Sequence, residues 1–517
     1  MLDFERGLCK TCFYMGGCGT CPLLRPRAAV PAVTPLVKKQ FKKTATPELP
    51  MDYPWWYVPW LTSPMLIAAI AIAHVLVSHY AVGGGLFLAV ETSFAYRTGD
   101  QPYLQYLRRH ARFFVLLTVV FGAISGVGIW WTIGLASPAA TEVLIRAFVF
   151  GWATEYIFFV LEILSAFGFY YYWGRLAPQV HVKLGWIYAI SAWVSLVLIT
   201  GITAFMLNPG GWPAARSFWV GFLNPQFVPQ TVARTGGALL LSSLYVYLHA
   251  AFALPDERLY RLIAQRSARP ALAGAVLVTV GGIGWFMFLP ESARAALEAA
   301  PVLSVLTILI FALTALVFAF LYLGPYRNPH WMSPGFALSL FVFGLAAFGT
   351  GEFIREAVRK PYIIYNVLLG NQIAPGDVGR LRQNGFLEAN PWSRAVVQAI
   401  ARDHHAHVAG KGWIDEQALL QLAEKEPAVL AAVGQTLFMY HCNDCHALER
   451  GYSAVVPMIR GRDLDMNFAL VKHLEKAHFF MPPWCGTEAE ALILARYLTS
   501  IAPPRPLTMD PVVIEKQ

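Results

Sequence analysis

Residues 442–446 read Cys-Asn-Asp-Cys-His, the spacing at which two cysteines and a histidine attach a c-type haem. Thioethers to Cys442 and Cys445 would hold the porphyrin edge, and His446 would be the proximal ligand of the iron. A reducing pair of thiols is the alternative interpretation of the same Cys-x-x-Cys. Because c-type haem is attached outside the cytoplasm, the haem interpretation predicts that this end of the chain is translocated.

A methionine on a proline-stiffened loop follows this motif, in the stretch Phe480-Met481-Pro482-Pro483-Trp484. Met481 is therefore the candidate second axial ligand, with His473 and His478 as rivals. An amphipathic helix, the haem motif, Met481 and a last helix over 488–499 follow one another in an order that resembles a class I cytochrome c. The resemblance implies one covalent haem c in a soluble domain.

The chain as a whole is strongly apolar. Of its 517 residues, 56% are hydrophobic and 14% are charged, whereas a soluble domain has about 25% charged residues. Apolar runs reach the roughly 20 residues that a membrane-spanning helix needs. These runs lie at about 64–95, 112–135, 145–173, 183–207, 233–254, 271–290, 301–323 and 335–358. The sequence thus predicts an all-α, polytopic bundle of about eight spans in a lipid bilayer. The net charge of +9 lies largely in loops and does not indicate nucleic-acid binding.

The distribution of arginine and lysine predicts the orientation of the bundle. Eleven arginines and lysines lie in one alternating set of connections, at 97–112, 173–183, 255–270 and 324–335, against four in the other set. These loops are expected in the cytoplasm, so that both ends of the chain lie outside, as the haem motif requires. We expect a multi-pass protein of the bacterial inner membrane with a periplasmic cytochrome c domain. Its predicted parts are a Cys-rich tail (1–50), a transmembrane domain (51–365), a helical connector (366–430) and a cytochrome c domain (431–517).

The N-terminal tail holds two closely spaced Cys-x-x-Cys pairs, formed by Cys9, Cys12, Cys18 and Cys21. Four thiolates suit zinc or an iron–sulfur centre. Disulfides or a disordered leader are the alternatives. Lysines at 38–43 follow the cysteines and favour the cytoplasm, so the sequence leaves the side of the membrane open for this tail.

Several acids and histidines fall inside the predicted spans, where such residues are costly and usually functional. They are His74, His79 and Glu91 in the first span, Glu155 and Glu162 in the third, His181 and His249 in the fourth and fifth, and Glu352 and Glu356 in the eighth. Glu155 and Glu162 are seven residues apart and therefore share one helix face. Such a set is typical of haem ligands or proton carriers. For any single histidine, a hydrogen bond to a carbonyl is the alternative.

Four stretches resemble subunit I of cytochrome bd oxidase, over roughly 64–365. Residues 154–176 carry two glutamates, an aromatic run and Trp-x-Arg-Leu, as the family's third helix does. Residues 207–211 contain its Asn-Pro-x-Gly, and residues 357–362 resemble its Gly-Arg-Gln-Pro-Trp. Residues 74–92, a histidine followed by glycines and Glu-Thr, resemble its first helix.

The resemblance implies haem b, haem d or both in the membrane core, and oxygen as the electron acceptor. By position, His74 would be the axial ligand of the oxygen-site haem, with His79 as a rival. Glu155 would lie at the opposite face of that haem, Glu162 would line a proton route, and Glu356 would bind the neighbouring haem b. Because this family is built as a pair, a second polytopic subunit is expected.

The departures from the family concern quinol. Gln230 stands where the family has a histidine ligand of the low-spin haem, and the 290–301 connection is too short for a quinol-binding loop. Electrons are therefore expected to enter or leave through haem c, in exchange with a periplasmic c-type cytochrome or another redox protein. Two alternatives remain: a conduit between the quinone pool and periplasmic cytochromes without oxygen reduction, and a haem c-carrying anchor subunit of a larger respiratory complex.

Overall fold

The computed structural model describes residues 53–254, 256–404 and 414–502. Within these residues, eight helices are long and apolar enough to cross a membrane. They are Ser63–Thr98, Gln101–Ala136, Val149–Tyr171, Pro178–Ala204, Phe227–Ala253, Glu257–Met287, Pro301–Arg327 and Pro334–Ala357, and we number them as spans one to eight. The second span contains a π-helical segment at Leu116–Phe121, and the seventh ends in another at Tyr322–Arg327. The predicted all-α membrane bundle is confirmed.

Shorter elements connect the spans and form the C-terminal part. Between spans lie the helices Pro138–Ala147, Trp212–Ala215, Phe218–Phe222, Glu291–Ala299 and Pro329–Trp331. After the eighth span, strands Tyr362–Ile364 and Leu368–Leu369 pair antiparallel, with Tyr362 opposite Leu369. The helices that follow are Pro375–Asp377, Val378–Asn384, Phe386–Ala389, Pro391–Asp403, Glu416–Lys425, Pro427–His441, Val455–Ile459, Leu464–Lys472, Leu474–Ala477 and Glu488–Ile501.

The run of three glycines at 83–85 does not interrupt the helix of the first span. It lies where three other spans pack against this helix. A Cβ atom added at the first glycine of the run would lie 2.0 Å from the Ala238 carbonyl oxygen. One added at the second would lie 2.9 Å from the Phe114 ring, and one added at the third would lie 2.1 Å from the Tyr188 ring. These neighbours belong to the fifth, second and fourth spans. The glycines therefore let three helices approach the first span more closely than any side chain would permit.

The sixth span begins well before the predicted residue 271, at Glu257. Its N-terminus is capped by the Asp256 side chain, which accepts hydrogen bonds from the backbone N–H groups of Arg258 and Leu259. Leu259 and Ile263 are buried, so one face of the early turns packs on the bundle. The arginines of the predicted 255–270 loop therefore lie on a helical extension, which hydropathy alone does not detect.

The C-terminal region, residues 414–502, is built around two crossed helices. Gly434 of Pro427–His441 meets Glu488–Ile501 so closely that an added Cβ would lie 2.2 Å from the Tyr497 Cβ. The buried Glu490 carboxylate accepts three backbone hydrogen bonds, from Phe386, Leu387 and Thr487. This carboxylate joins the segment after the eighth span to the last helix.

Candidate functional site

The Cys442–His446 loop is a single tight turn at the end of the helix Pro427–His441. The backbone N–H groups of Cys445 and His446 both donate to the Cys442 carbonyl, at 3.1 and 2.9 Å. Cys442 and Cys445 are both free, half-buried thiols. Burial raises the pKa of the Cys442 thiol to about 12 and raises that of Cys445 as well. Two adjacent free thiols beside an imidazole are the donor set that a covalent c-type haem requires.

The His446 ring is oriented by a backbone carbonyl. Its Nδ1 lies 2.8 Å from the Ser453 carbonyl oxygen. Since a carbonyl only accepts, Nδ1 carries the hydrogen and Nε2 keeps its lone pair, as in histidines that bind metals. Burial lowers the pKa of His446, so the imidazole is neutral at neutral pH. The residues present therefore fit a haem c at this position.

Of the three candidates for the second axial ligand, Met481 is the one that is partly buried. His473 and His478 are both exposed. The Met481 N–H donates to the His478 carbonyl at 2.9 Å, which folds the loop back on itself. His478 lies close enough to His446 to contribute to the lowering of its pKa. The structure thus places His478 near His446 and Met481 next to His478.

The Cys442–His446 loop and its flanks contact the segments that precede the first span and follow the eighth span. Three hydrogen bonds reach the segment before the first span: Tyr440 Oη to Tyr53 O (3.3 Å), Asn443 Nδ2 to Trp56 O (3.3 Å) and Tyr452 N to Trp60 O (2.7 Å). Gly451, at φ +114°, permits the last of these contacts, because an added Cβ would lie 2.2 Å from the Trp60 oxygen. A fourth contact joins Lys360 Nζ to Asp444 Oδ2 at 3.4 Å.

The Met481 loop contacts the bundle through two aromatic rings. Phe479 and Phe480 pack against a buried apolar cluster that includes Leu289, Leu303 and Ile354. These residues lie near the ends of the sixth, seventh and eighth spans. The haem motif and the candidate methionine ligand are therefore both anchored to one end of the bundle.

Glu356, the predicted haem b ligand, lies at this same end. Its carboxylate accepts a hydrogen bond from Arg359, whose Nε is buried without a hydrogen-bond partner among the described residues. Burial would lower the pKa of the nearby Lys360, yet Cys445, Asp444 and Glu356 together raise it above its usual range. One lysine therefore lies within the electrostatic reach of both Cys445 and Glu356.

Both candidate histidines of the first span have the hydrogen-bond pattern of a ligand. His74 Nδ1 lies 3.0 Å from Ser125 Oγ, whose own hydrogen goes to the backbone carbonyls of its helix. His79 Nδ1 donates to the Val75 carbonyl at 2.9 Å, and its buried Nε2 has no partner among the described residues. Each ring thus keeps Nε2 as an acceptor, and the geometry fits either residue as an iron ligand.

The paired glutamates of the third span face the fourth span. Ser195 Oγ donates to Glu155 Oε1 at 2.9 Å. Glu162 Oε1 is buried and has no hydrogen-bond partner in the described part of the chain. The two carboxyl groups lie near enough to interact electrostatically. The structure brings them together, as their spacing predicts.

Two other histidines differ from each other in their surroundings. His181 is fully satisfied: Nε2 lies 2.9 Å from the Phe169 carbonyl and Nδ1 lies 3.1 Å from Tyr96 Oη. His249 pairs with His110, with 3.1 Å between their Nδ1 atoms. Sequence reasoning missed His110, because it lies in a predicted loop that the structure forms as helix.

The predicted N-terminal metal site, Cys9, Cys12, Cys18 and Cys21, lies outside the described residues. Among those that are described, no group of three or more histidine, cysteine, aspartate or glutamate side chains is placed to hold a metal ion. Gln230 is buried in the fifth span. Sequence reasoning also overlooked Lys360 and Asp444, since neither belongs to a ligand pattern.

Comparisons with known proteins bear on the membrane bundle. Residues 63–288, which contain the first six spans, match the family described as cytochrome bd terminal oxidase subunit I. No curated protein matches the chain. A chain from "The structure of bd oxidase from Geobacillus thermodenitrificans" shares 17% sequence identity with a TM-score of 0.51, over 58% of this chain and 87% of that one. The membrane bundle is therefore similar in fold to bd oxidase, and its first six spans carry the sequence pattern of the subunit I family.

Proposed function

We propose that the protein is a subunit of a membrane respiratory oxidoreductase that exchanges electrons with a periplasmic cytochrome c through its own haem c and reduces oxygen in a bd-like core. The observation that carries this proposal is the position of the Cys442–His446 loop, which contacts the bundle beside Glu356. A covalent redox group there would be adjacent to a predicted membrane haem site.

The C-terminal domain, predicted over 431–517, holds the haem c. Cys442 and Cys445 attach the porphyrin, His446 binds the iron through Nε2, and Met481 supplies the second ligand. When bound, the haem supplies one-electron chemistry, and the protein determines its position and electrostatic surroundings. The contacts of Tyr440, Asn443 and Tyr452 with the segment before the first span hold this loop at a fixed distance from the core.

The membrane core holds haem b, haem d or both, through Glu356 and one of the histidines His74 and His79. Oxygen reduction consumes protons, and the two acids of the third span suit their delivery. Ser195 fixes Glu155, while the unpartnered oxygen of Glu162 is free to accept and release a proton. A second polytopic subunit covers part of the apolar outer surface, and the N-terminal cysteines hold zinc or an iron–sulfur centre.

A pyridine haemochrome spectrum of the purified protein tests the proposal, together with oxygen consumption driven by reduced cytochrome c. We expect one haem c, at least one non-covalent haem b or d, and oxygen uptake. Haem c alone would identify an anchor subunit. Haem c with haem b or d but without oxygen uptake would identify an electron conduit.

A further inference from the structure

Lys360 occupies the junction between the membrane bundle and the Cys442–His446 loop. It follows the eighth span by three residues, and its side chain is 20% exposed. Its Nζ lies 3.4 Å from Asp444 Oδ2, and the Asp444 side chain is 13% exposed. This is a largely buried ion pair between residues 84 positions apart, and it joins the two parts that the proposed function requires to exchange electrons.

Gly370 lies against the pair. A Cβ added to Gly370, which follows the second strand, would lie 3.1 Å from Asp444 Oδ2 and 3.6 Å from Lys360 Nζ. Gly370 N also donates to the Pro361 carbonyl at 2.8 Å, which holds the glycine beside the pair. The ammonium and carboxylate are thus shielded more from solvent than those of a surface pair.

Neither member of the pair is required by the motif in which it lies. Lys360 stands at the glutamine position of the Gly-Arg-Gln-Pro-Trp pattern that residues 357–362 resemble. Asp444 is one of the two residues between the haem-attaching cysteines, where the motif itself requires no acid. A cation on the bundle thus meets an anion in the haem motif.

We propose that Lys360 is a positioning residue that holds the Cys442–His446 loop on the end of the bundle and offsets the effect of the Asp444 carboxylate on the reduction potential of the haem attached there. The inference rests on the haem c of the proposed function and on no property of the membrane haems. A fixed positive charge favours the reduced state of a haem, which carries one positive charge fewer than the oxidised state. Asp444 offsets this charge, so the intact pair has a small net effect on the reduction potential, and either charge without its partner has a large effect.

Redox titration of haem c in the full-length holoprotein tests this inference. Lys360→Met leaves the Asp444 carboxylate uncompensated and is expected to shift the midpoint to lower potential. Asp444→Asn leaves the ammonium uncompensated and should shift the midpoint upward. The double variant should return towards the wild-type value, and Lys360→Arg, which keeps the charge, should resemble the wild type.

Lys472→Met is the matched control, because it removes the same charge from a more exposed pair with Glu488 in the same region. We expect no shift in this variant. The inference is overturned if the haem c midpoint of Lys360→Met equals that of the wild type. It is also overturned if Lys360→Met and Asp444→Asn shift the midpoint in the same direction. If Lys360→Met fails to incorporate haem c, two other variants decide the matter. Asp444→Asn alone should raise the haem c midpoint, and Asp444→Asn combined with Lys360→Gln should return the midpoint towards the wild-type value.

The failure of this inference can be distinguished from the failure of the proposed function. Absence of membrane haem, or of oxygen uptake, in the wild-type protein contradicts the proposed function and leaves the haem c titration intact. An unchanged midpoint in the variants contradicts only the role of Lys360.

Discussion

The Cys442–His446 loop and the interior of the membrane bundle differ in how their candidate ligands are held. In the loop, neighbouring backbone fixes the geometry: Cys442 O accepts two N–H groups, and Ser453 O orients His446. In the bundle, Glu162 Oε1 and His79 Nε2 are buried without partners among the described residues. Asn443 Oδ1 in the loop is also buried without a partner there, so both regions contain a polar group whose burial costs free energy.

The difference reflects how each candidate cofactor site is built. The candidate haem c donors lie within five consecutive residues plus one loop, so a local turn would assemble most of that site. The candidate donors of the membrane core lie on the first, third and eighth spans, so a site there would depend on how separate helices pack. Loss of one donor should therefore act differently in the two regions.

The largest effect should follow removal of the covalent attachment. We expect the double replacement Cys442→Ala and Cys445→Ala to abolish haem staining of the 57.3 kDa band after denaturing electrophoresis. Cys485→Ala is the control, since Cys485 is also a buried free thiol but lies outside the motif. Staining that survives the double replacement would show that the Cys442–His446 loop is not the attachment site.

Next in size is the loss of one membrane haem. His74→Ala should remove a haem b or d and leave haem c in place, because His74 stands at the position of the axial ligand in the family pattern and histidines at membrane depth are usually functional. Haem b or d per haem c measures the effect, with His79→Ala beside it. Loss in His79→Ala alone would transfer the ligand role to His79, and loss in neither would contradict a haem-binding first span.

A smaller effect is expected at the second axial ligand of haem c. Met481→His should lower the haem c midpoint on the order of 100 mV, within the roughly 0.8 V range that axial ligands set. Redox titration measures the shift, and His473→Gln, at an exposed rival, is the control. If His473→Gln or the corresponding change at His478 moves the midpoint instead, Met481 is not the ligand.

The smallest effect concerns an acid of the C-terminal region. Burial, with Glu490 nearby, raises the pKa of Glu416 to about 7 from 4.5. The folded state then binds the proton more tightly than the unfolded state, so the free energy of unfolding falls as pH rises from about 4.5 to 7. Glu416→Gln should remove this dependence and raise the unfolding temperature at pH 8 by roughly 1–2 °C, because solvent screens the half-buried group.

Thermal unfolding followed by haem absorbance at pH 5 and pH 8 measures the change. Glu424→Gln is the control, since Glu424 is an exposed member of an ion pair with Arg496. An equal pH dependence in the wild type and Glu416→Gln would show that this carboxyl does not control stability.

The sequence by itself determined the features that depend on composition and short spacing. Apolar length predicted the eight spans, because a helix must be long and apolar to cross a bilayer. The five residues 442–446 identified the candidate haem attachment, because thioether and axial ligands fall within one turn. The spacing of Glu155 and Glu162 placed both on one helix face.

Only the tertiary structure decided which distant groups meet. The helical extension of the sixth span depends on the Asp256 cap and on packing, which hydropathy does not measure. The His110–His249 pair joins the second and fifth spans, and the Lys360–Asp444 pair joins the eighth span to the haem motif. Neither of these two pairs has a sequence pattern, because each arises where helices and loops remote in the chain are packed together by buried apolar surface.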